Sequence, residues 1–134
     1  MRSYNILVVE DNPGDALLIQ EALRECGHPC TLTFADSLQN ARLVLQTHTF
    51  DLVLSDMGVR NGGSDEFIRS IRIGERSKSV PIVVLSGSFD PRPAYEAGAN
   101  VFISKTMDMD EFFSKIKSLM HFWAKVAELP PLED

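Results

Sequence analysis

The stretch "DLVLSDMGVRNGG", residues 51–63, sets an apolar run against a lone acid where the chain breaks into glycines. Leu52-Val53-Leu54 is apolar without alternation, as in a strand covered on both faces. Asp56 stands at its carboxyl end. In an open parallel sheet the carboxyl ends of the strands line one crevice, and chemistry gathers there.

Outward from this stretch, period and punctuation alternate regularly. "NILVVE" (5–10) is a short β-branched apolar run, and "NPGDALLIQEALREC" reads as helix with Asn12 as N-cap and Pro13 at the first helical position. Gly27 and Pro29 stop it. "CTLTFA" (30–35) alternates as a strand, and "SLQNARLVLQTH" has Ser37 as cap with Leu38, Ala41 and Leu45 at helical spacing. "SDEFIRSIRIG" puts Phe67, Ile68 and Ile71 on one helical face. "VPIVVLSG" (80–87) is a fourth strand, "NVFIS" (100–104) a fifth, and a long closing helix begins near Asp108. Strand-then-helix repeated in this way, with near-continuous apolar strands, predicts a doubly wound α/β domain with helices on both faces.

The totals agree. The chain has 134 residues, enough for one domain; 44% are hydrophobic and 24% charged, the profile of a globular protein. No apolar run approaches the roughly 20 residues that span a bilayer, and "MRSYNILVVED" is too soon acidic for a secretory signal, so the cytoplasm is the expected compartment. A net charge of −6 argues against binding to nucleic-acid backbones. No basic or helix-turn-helix segment is attached, so output is expected through another protein. Cys26 and Cys30 flank "GHP" and read as ordinary reduced thiols near a turn.

Strand 1 ends in Glu10-Asp11, strand 3 in Asp56 and strand 4 in Ser86, and Lys105 follows strand 5. All five side chains are therefore expected at one point on the sheet's edge. Clustered carboxylates raise one another's pKa and need neutralising. A hard divalent ion with oxygen ligands suits them, and Mg²⁺ takes one or two carboxylates with a carbonyl, waters and a phosphate oxygen. Lys105 adds a fixed positive charge and Ser86 a hydroxyl donor. The set fits phosphoryl transfer to an aspartate. Taken singly, Glu10 or Asp11 reads as readily as a helix N-cap; the joint order of acid pair, Asp, Ser and Lys carries the argument.

"LVVEDNPGD", "LVLSDM", "VVLSG" and "VFISK" together resemble the receiver domain of two-component response regulators, the CheY-like fold, over essentially the whole chain. The resemblance implies a flavodoxin-like five-stranded parallel sheet in the order 2-1-3-4-5, with residues 1–134 as one receiver domain. It implies that Asp56 takes a phosphoryl group from a sensor histidine kinase. It implies Mg²⁺ held by Asp11 and Asp56 with the carbonyl of Gly58, and by Glu10 through water. Ser86 and Lys105 would bind phosphoryl oxygens, and Ser86 and Phe102 would form the switch. "VEDNPGDALLIQEAL" with "HFWAKVAELP" is most similar to the single-domain regulators that partner phytochrome-type histidine kinases. The alternative is a receiver-like module that binds partners without phosphorylation.

Three departures from the family pattern carry expectations. The loop "MGVRNGGSDEF" has three glycines and no proline, and Gly58 leaves no side chain two residues beyond Asp56. Thr106 stands where the family has a proline after a cis bond, so a trans bond is expected between Lys105 and Thr106. Pro91 and Pro93 permit at most a short fourth helix.

In the closing helix, Met109, Phe112, Phe113, Ile116, Leu119, Met120, Trp123 and Val126 share an apolar arc. Met109, Phe113, Ile116 and Met120 are expected in the core. Phe122 lies off the arc and Trp123 falls late, so residues 121–134 read as an extension, with Phe122 and Trp123 as anchors of a homodimer.

Overall fold

The computed structural model describes residues 3–56, 64–87, 90–105 and 108–126, except the side chains of Ser64, Lys125 and Val126. Five strands, β1 (Tyr4–Val9), β2 (Cys30–Ala35), β3 (Leu52–Asp56), β4 (Ile82–Ser86) and β5 (Val101–Ser104), form one sheet in the order β2-β1-β3-β4-β5. Every pairing is parallel, with Val9 opposite Ser55 and Asp56 opposite Leu85. The helices between and after them are α1 (Pro13–Glu25), α2 (Leu38–Thr47), α3 (Ser64–Ile73), α4 (Arg92–Ala97) and α5 (Met109–His121), followed by a π-helical turn at Phe122–Val126. The strand order expected above is the one observed.

Alternate residues of each central strand feed opposite faces of the sheet. Leu7, Val9, Val53 and Val84 enter one core with Phe67, Ile68 and Ile71 of α3 and Ala41 of α2. Ile6, Val8, Leu54 and Leu85 enter the other with Ile19 of α1 and Ile116 and Met120 of α5. Buried on both sides, β3 and β4 tolerate no alternation, which is why Leu52-Val53-Leu54 reads as it does.

Local chemistry sets the helix ends. Asn12 Oδ1 accepts from Gly14 N at 2.8 Å and Asp15 N at 3.1 Å, starting α1 immediately after the acid pair. Ser37 Oγ and Asp108 Oδ1 cap α2 and α5 in the same way. The short α4 runs for six residues and stops at Gly98, whose φ of 118° suits glycine alone.

A half-buried guanidinium ties this region together. Arg72 of α3 donates from Nε to Gly98 O at 2.9 Å, from Nη1 to Val80 O at 2.6 Å, and from Nη2 to Asn100 Oδ1 at 2.7 Å. Asn100 Oδ1 also accepts from Ile82 N. One side chain thus positions the starts of β4 and β5. On the outer side of the edge strand β5, Phe102 N donates to the Tyr95 hydroxyl at 3.2 Å and Ser104 O accepts from Lys115 Nζ at 3.3 Å.

Two expectations for the closing helix need correction. Met109 is 53% exposed rather than core, because it is the first residue of α5 and lies beyond the sheet's carboxyl edge. Phe122 is exposed as expected, but Trp123 is half-buried and packs against the second core. The π-helical turn widens the backbone there, and Tyr4 Oη donates to Ala124 O at 3.4 Å. Among the described residues no helix is long and apolar enough to cross a membrane.

Candidate functional site

The strand ends deliver the expected residues. Asp56 is the last residue of β3, Ser86 the last of β4, Glu10 and Asp11 follow β1 directly, and Lys105 follows β5. Because the strands are parallel, all these ends fall on one edge. One carboxylate oxygen each from Glu10, Asp11 and Asp56 lies within 4.8 Å of the others. Glu10, Asp56 and Ser86 are buried, whereas Asp11 is half-buried.

Lys105 bridges the cluster. Its Nζ lies 2.9 Å from Asp56 Oδ2, 3.1 Å from Glu10 Oε1 and 3.1 Å from Asp15 Oδ2. The backbone supports this placement, since Lys105 N donates to Ser86 O at 2.7 Å and fixes the end of β5 against that of β4. Asn12 N reaches Glu10 Oε2 at 3.3 Å.

The electrostatics follow from burial. Glu10 is pushed up to about 7, first by loss of solvent, then by a hydrogen bond to Asp56 and the Asp56 charge; Lys105 opposes these without cancelling them. Burial works against the Lys105 ammonium, but its hydrogen bonds to Asp56 and Asp15, with the charges of Asp56 and Glu10, outweigh it. Lys105 is held above the ordinary lysine value. Clustered carboxylate oxygens of this kind suit a hard divalent cation, which would neutralise them.

Glu10, Asp11, Asp56 and Lys105 are thus brought together, with Ser86 at the end of the adjacent strand. Phe102 is half-buried against the first core, with Tyr95 on its backbone. Gly58 and the peptide bond between Lys105 and Thr106 lie outside the described residues. Sequence reasoning missed Asp15. The signal was an acid in the first turn of a helix opening directly after the acid pair.

Comparison with known proteins decides the family. The model of the response regulator receiver domain matches residues 6–117. The chain belongs to the response regulator receiver family. Among curated relatives, the KDP operon transcriptional regulatory protein KdpE of Escherichia coli is 31% identical over 116 residues, 84% of this chain and 49% of that protein. Response regulator Rcp1 of Synechocystis is 26% identical over 93% of this chain and 92% of its own length. This receiver thus spans about half of KdpE and nearly all of Rcp1. Among solved structures, the phosphorylated cyanobacterial phytochrome response regulator RcpA superposes with a TM-score of 0.89 at 28% identity, over 97% of this chain and all of that one. The Mn²⁺-bound form of Rcp1 gives 0.85 at 25% identity, over 96% and 99%. The protein is accordingly a receiver domain of the two-component type, similar to phytochrome response regulators, with an acidic cluster suited to a divalent metal.

Proposed function

We propose that Asp56 is the phosphoacceptor of this receiver and that a sensor histidine kinase is its donor. The Lys105 ammonium at 2.9 Å from a buried Asp56 carboxylate, beside Glu10 and Asp11, carries the reading. An Asp56 oxygen attacks the phosphorus of a phosphohistidine. The new O–P bond forms as the P–N bond breaks, and the electron pair returns to the imidazole nitrogen, which takes a proton. Lys105 and the Ser86 hydroxyl lie at strand ends flanking Asp56 and donate to phosphoryl oxygens, where positioning and charge neutralisation supply most of the rate. Later attack of water on phosphorus releases phosphate and restores the carboxylate.

Mg²⁺ is the proposed metal, with Asp11, Asp56 and the Gly58 carbonyl as ligands and Glu10 acting through water. When bound it neutralises charge on the phosphoryl oxygens. The oxygen-only donor set, closing to within 4.8 Å, supports that choice. Movement of the Ser86 loop with Phe102 is the proposed switch. Likeness to RcpA and Rcp1 supports a phytochrome-type kinase as donor and a protein partner as output, in the cytoplasm. Residues 1–134 act as one receiver domain, with 121–134 as an extension that contributes to a homodimer; the exposed Phe122 supports that surface.

The test is incubation with Mg²⁺ and acetyl phosphate, followed by intact mass. An acid-stable, base-labile adduct on the wild type and none on Asp56→Asn is expected. No adduct favours the phosphorylation-independent module, and turnover without accumulation indicates a hydrolase.

A further inference from the structure

We propose that Asp15 is a positioning residue for Lys105: by holding one ammonium hydrogen on the α1 side, it keeps Glu10 and Asp56 open to a divalent cation. The inference rests on the metal-site reading above and assigns that site a residue outside the ligand set.

An ammonium has three N–H donors. Lys105 Nζ meets three carboxylates at 2.9–3.1 Å, from Asp56, Glu10 and Asp15, so its donors are filled. Two of those acids belong to the group of three that closes on one point; Asp15 does not. A cation gathered by Glu10 and Asp56 must therefore compete with Lys105 for them, and Asp15 draws the ammonium away.

Asp15 is built for this task. Its backbone N–H is pinned by Asn12 Oδ1 at 3.1 Å, which sets the carboxylate on the first turn of α1, facing the end of β5. A small cleft of about 50 Å³ lined by Asp15, Leu18, Ile19, Lys105, Met109 and Phe112 gives the lysine room on that side. Glu10 has a fully buried side chain and Asp56 is 11% exposed, whereas Asp15 is 42% exposed. The arm that holds Lys105 back is thus the one able to move.

Without Asp15 the ammonium is held by Glu10 and Asp56 alone and competes harder with a cation for them. An Asp15→Asn protein should then bind divalent cations about threefold more weakly, the scale of a partly exposed ion pair.

Mn²⁺ titration followed by the electron paramagnetic resonance signal of free Mn²⁺ tests this, on wild type, Asp15→Asn, Lys105→Met and the double variant. Weaker binding for Asp15→Asn, tighter binding for Lys105→Met, and no effect of Asp15→Asn in the Lys105→Met background are expected. Equal weakening in both backgrounds overturns the inference, because Asp15 then acts by its own charge. No effect in either background overturns it as well. In both cases the metal-site reading survives, provided Asp11→Asn weakens wild-type binding. A wild type that binds no Mn²⁺, or an Asp11→Asn that binds as well as wild type, overturns both.

Discussion

Glu10→Gln should stabilise the metal-free protein, and the gain should grow with pH. Glu10 titrates from the ordinary value of 4.5 in the unfolded chain and from about 7 in the folded one. Between those values the folded state binds more protons, so stability falls as pH rises. At 1.36 kcal/mol for each pH unit of separation, the full loss is about 3 kcal/mol, present once the pH exceeds both values. Glu10 shares its titration with Asp56 and Lys105, which brings the expected loss to about 2 kcal/mol. Glutamine carries no charge there and can still accept from Lys105 Nζ. Urea unfolding in chelator at pH 5 and pH 8 measures the difference. Wild type should lose about 2 kcal/mol relative to Glu10→Gln over that interval, and Mg²⁺ should restore most of it. Parallel pH profiles for the two proteins would refute the argument, because Glu10 would then already be fully paired by Lys105.

Gly98→Ala should cost about 1–3 kcal/mol in thermal or chemical melts, because φ is 118° and the new Cβ would sit 2.9 Å from Arg72 Cγ. Cys30 should resist alkylation in the folded protein: burial, and then the neighbouring Cys26, push its thiol up to about 12. At pH 8 its labelling by iodoacetamide, read by mass, should be roughly a thousandfold slower than in urea. Phe122→Ala should abolish the proposed homodimer in sedimentation and leave a folded monomer. Trp123→Ala should instead cost about 1–3 kcal/mol of stability, because its indole packs on the second core.

The strands were legible because β1, β3 and β4 are covered on both faces and cannot hide their apolarity, whereas their order came from the resemblance to the receiver family. Glycine and proline mark the breaks between them. The site was legible for the same reason: parallel strands place their ends on one edge, so acids at those positions meet whatever the loops do. Asp15 was not legible, because its partner is 90 residues away and only the folded sheet brings Lys105 to the first turn of α1. Arg72 organises two strand starts, yet its partners are backbone carbonyls and Asn100, contacts that leave no periodic pattern in the sequence. Met109 and Trp123 show the limit of a helical wheel, which gives an angle but not where the sheet beneath ends. Met109 overshoots the sheet and is exposed, whereas Trp123 is drawn back onto it by a widened helical turn.

The side chains along β5 have a consequence for self-assembly. An edge strand with open N–H and C=O groups is a template on which another strand can grow. Here a tyrosine hydroxyl occupies the Phe102 N–H and a lysine ammonium the Ser104 carbonyl, so two groups of that edge are capped by side chains. Tyr95→Phe would uncap one of them and leave a hydrogen-bond donor facing outward. A partner approaching this side meets the Tyr95 and Lys115 side chains at those two backbone groups.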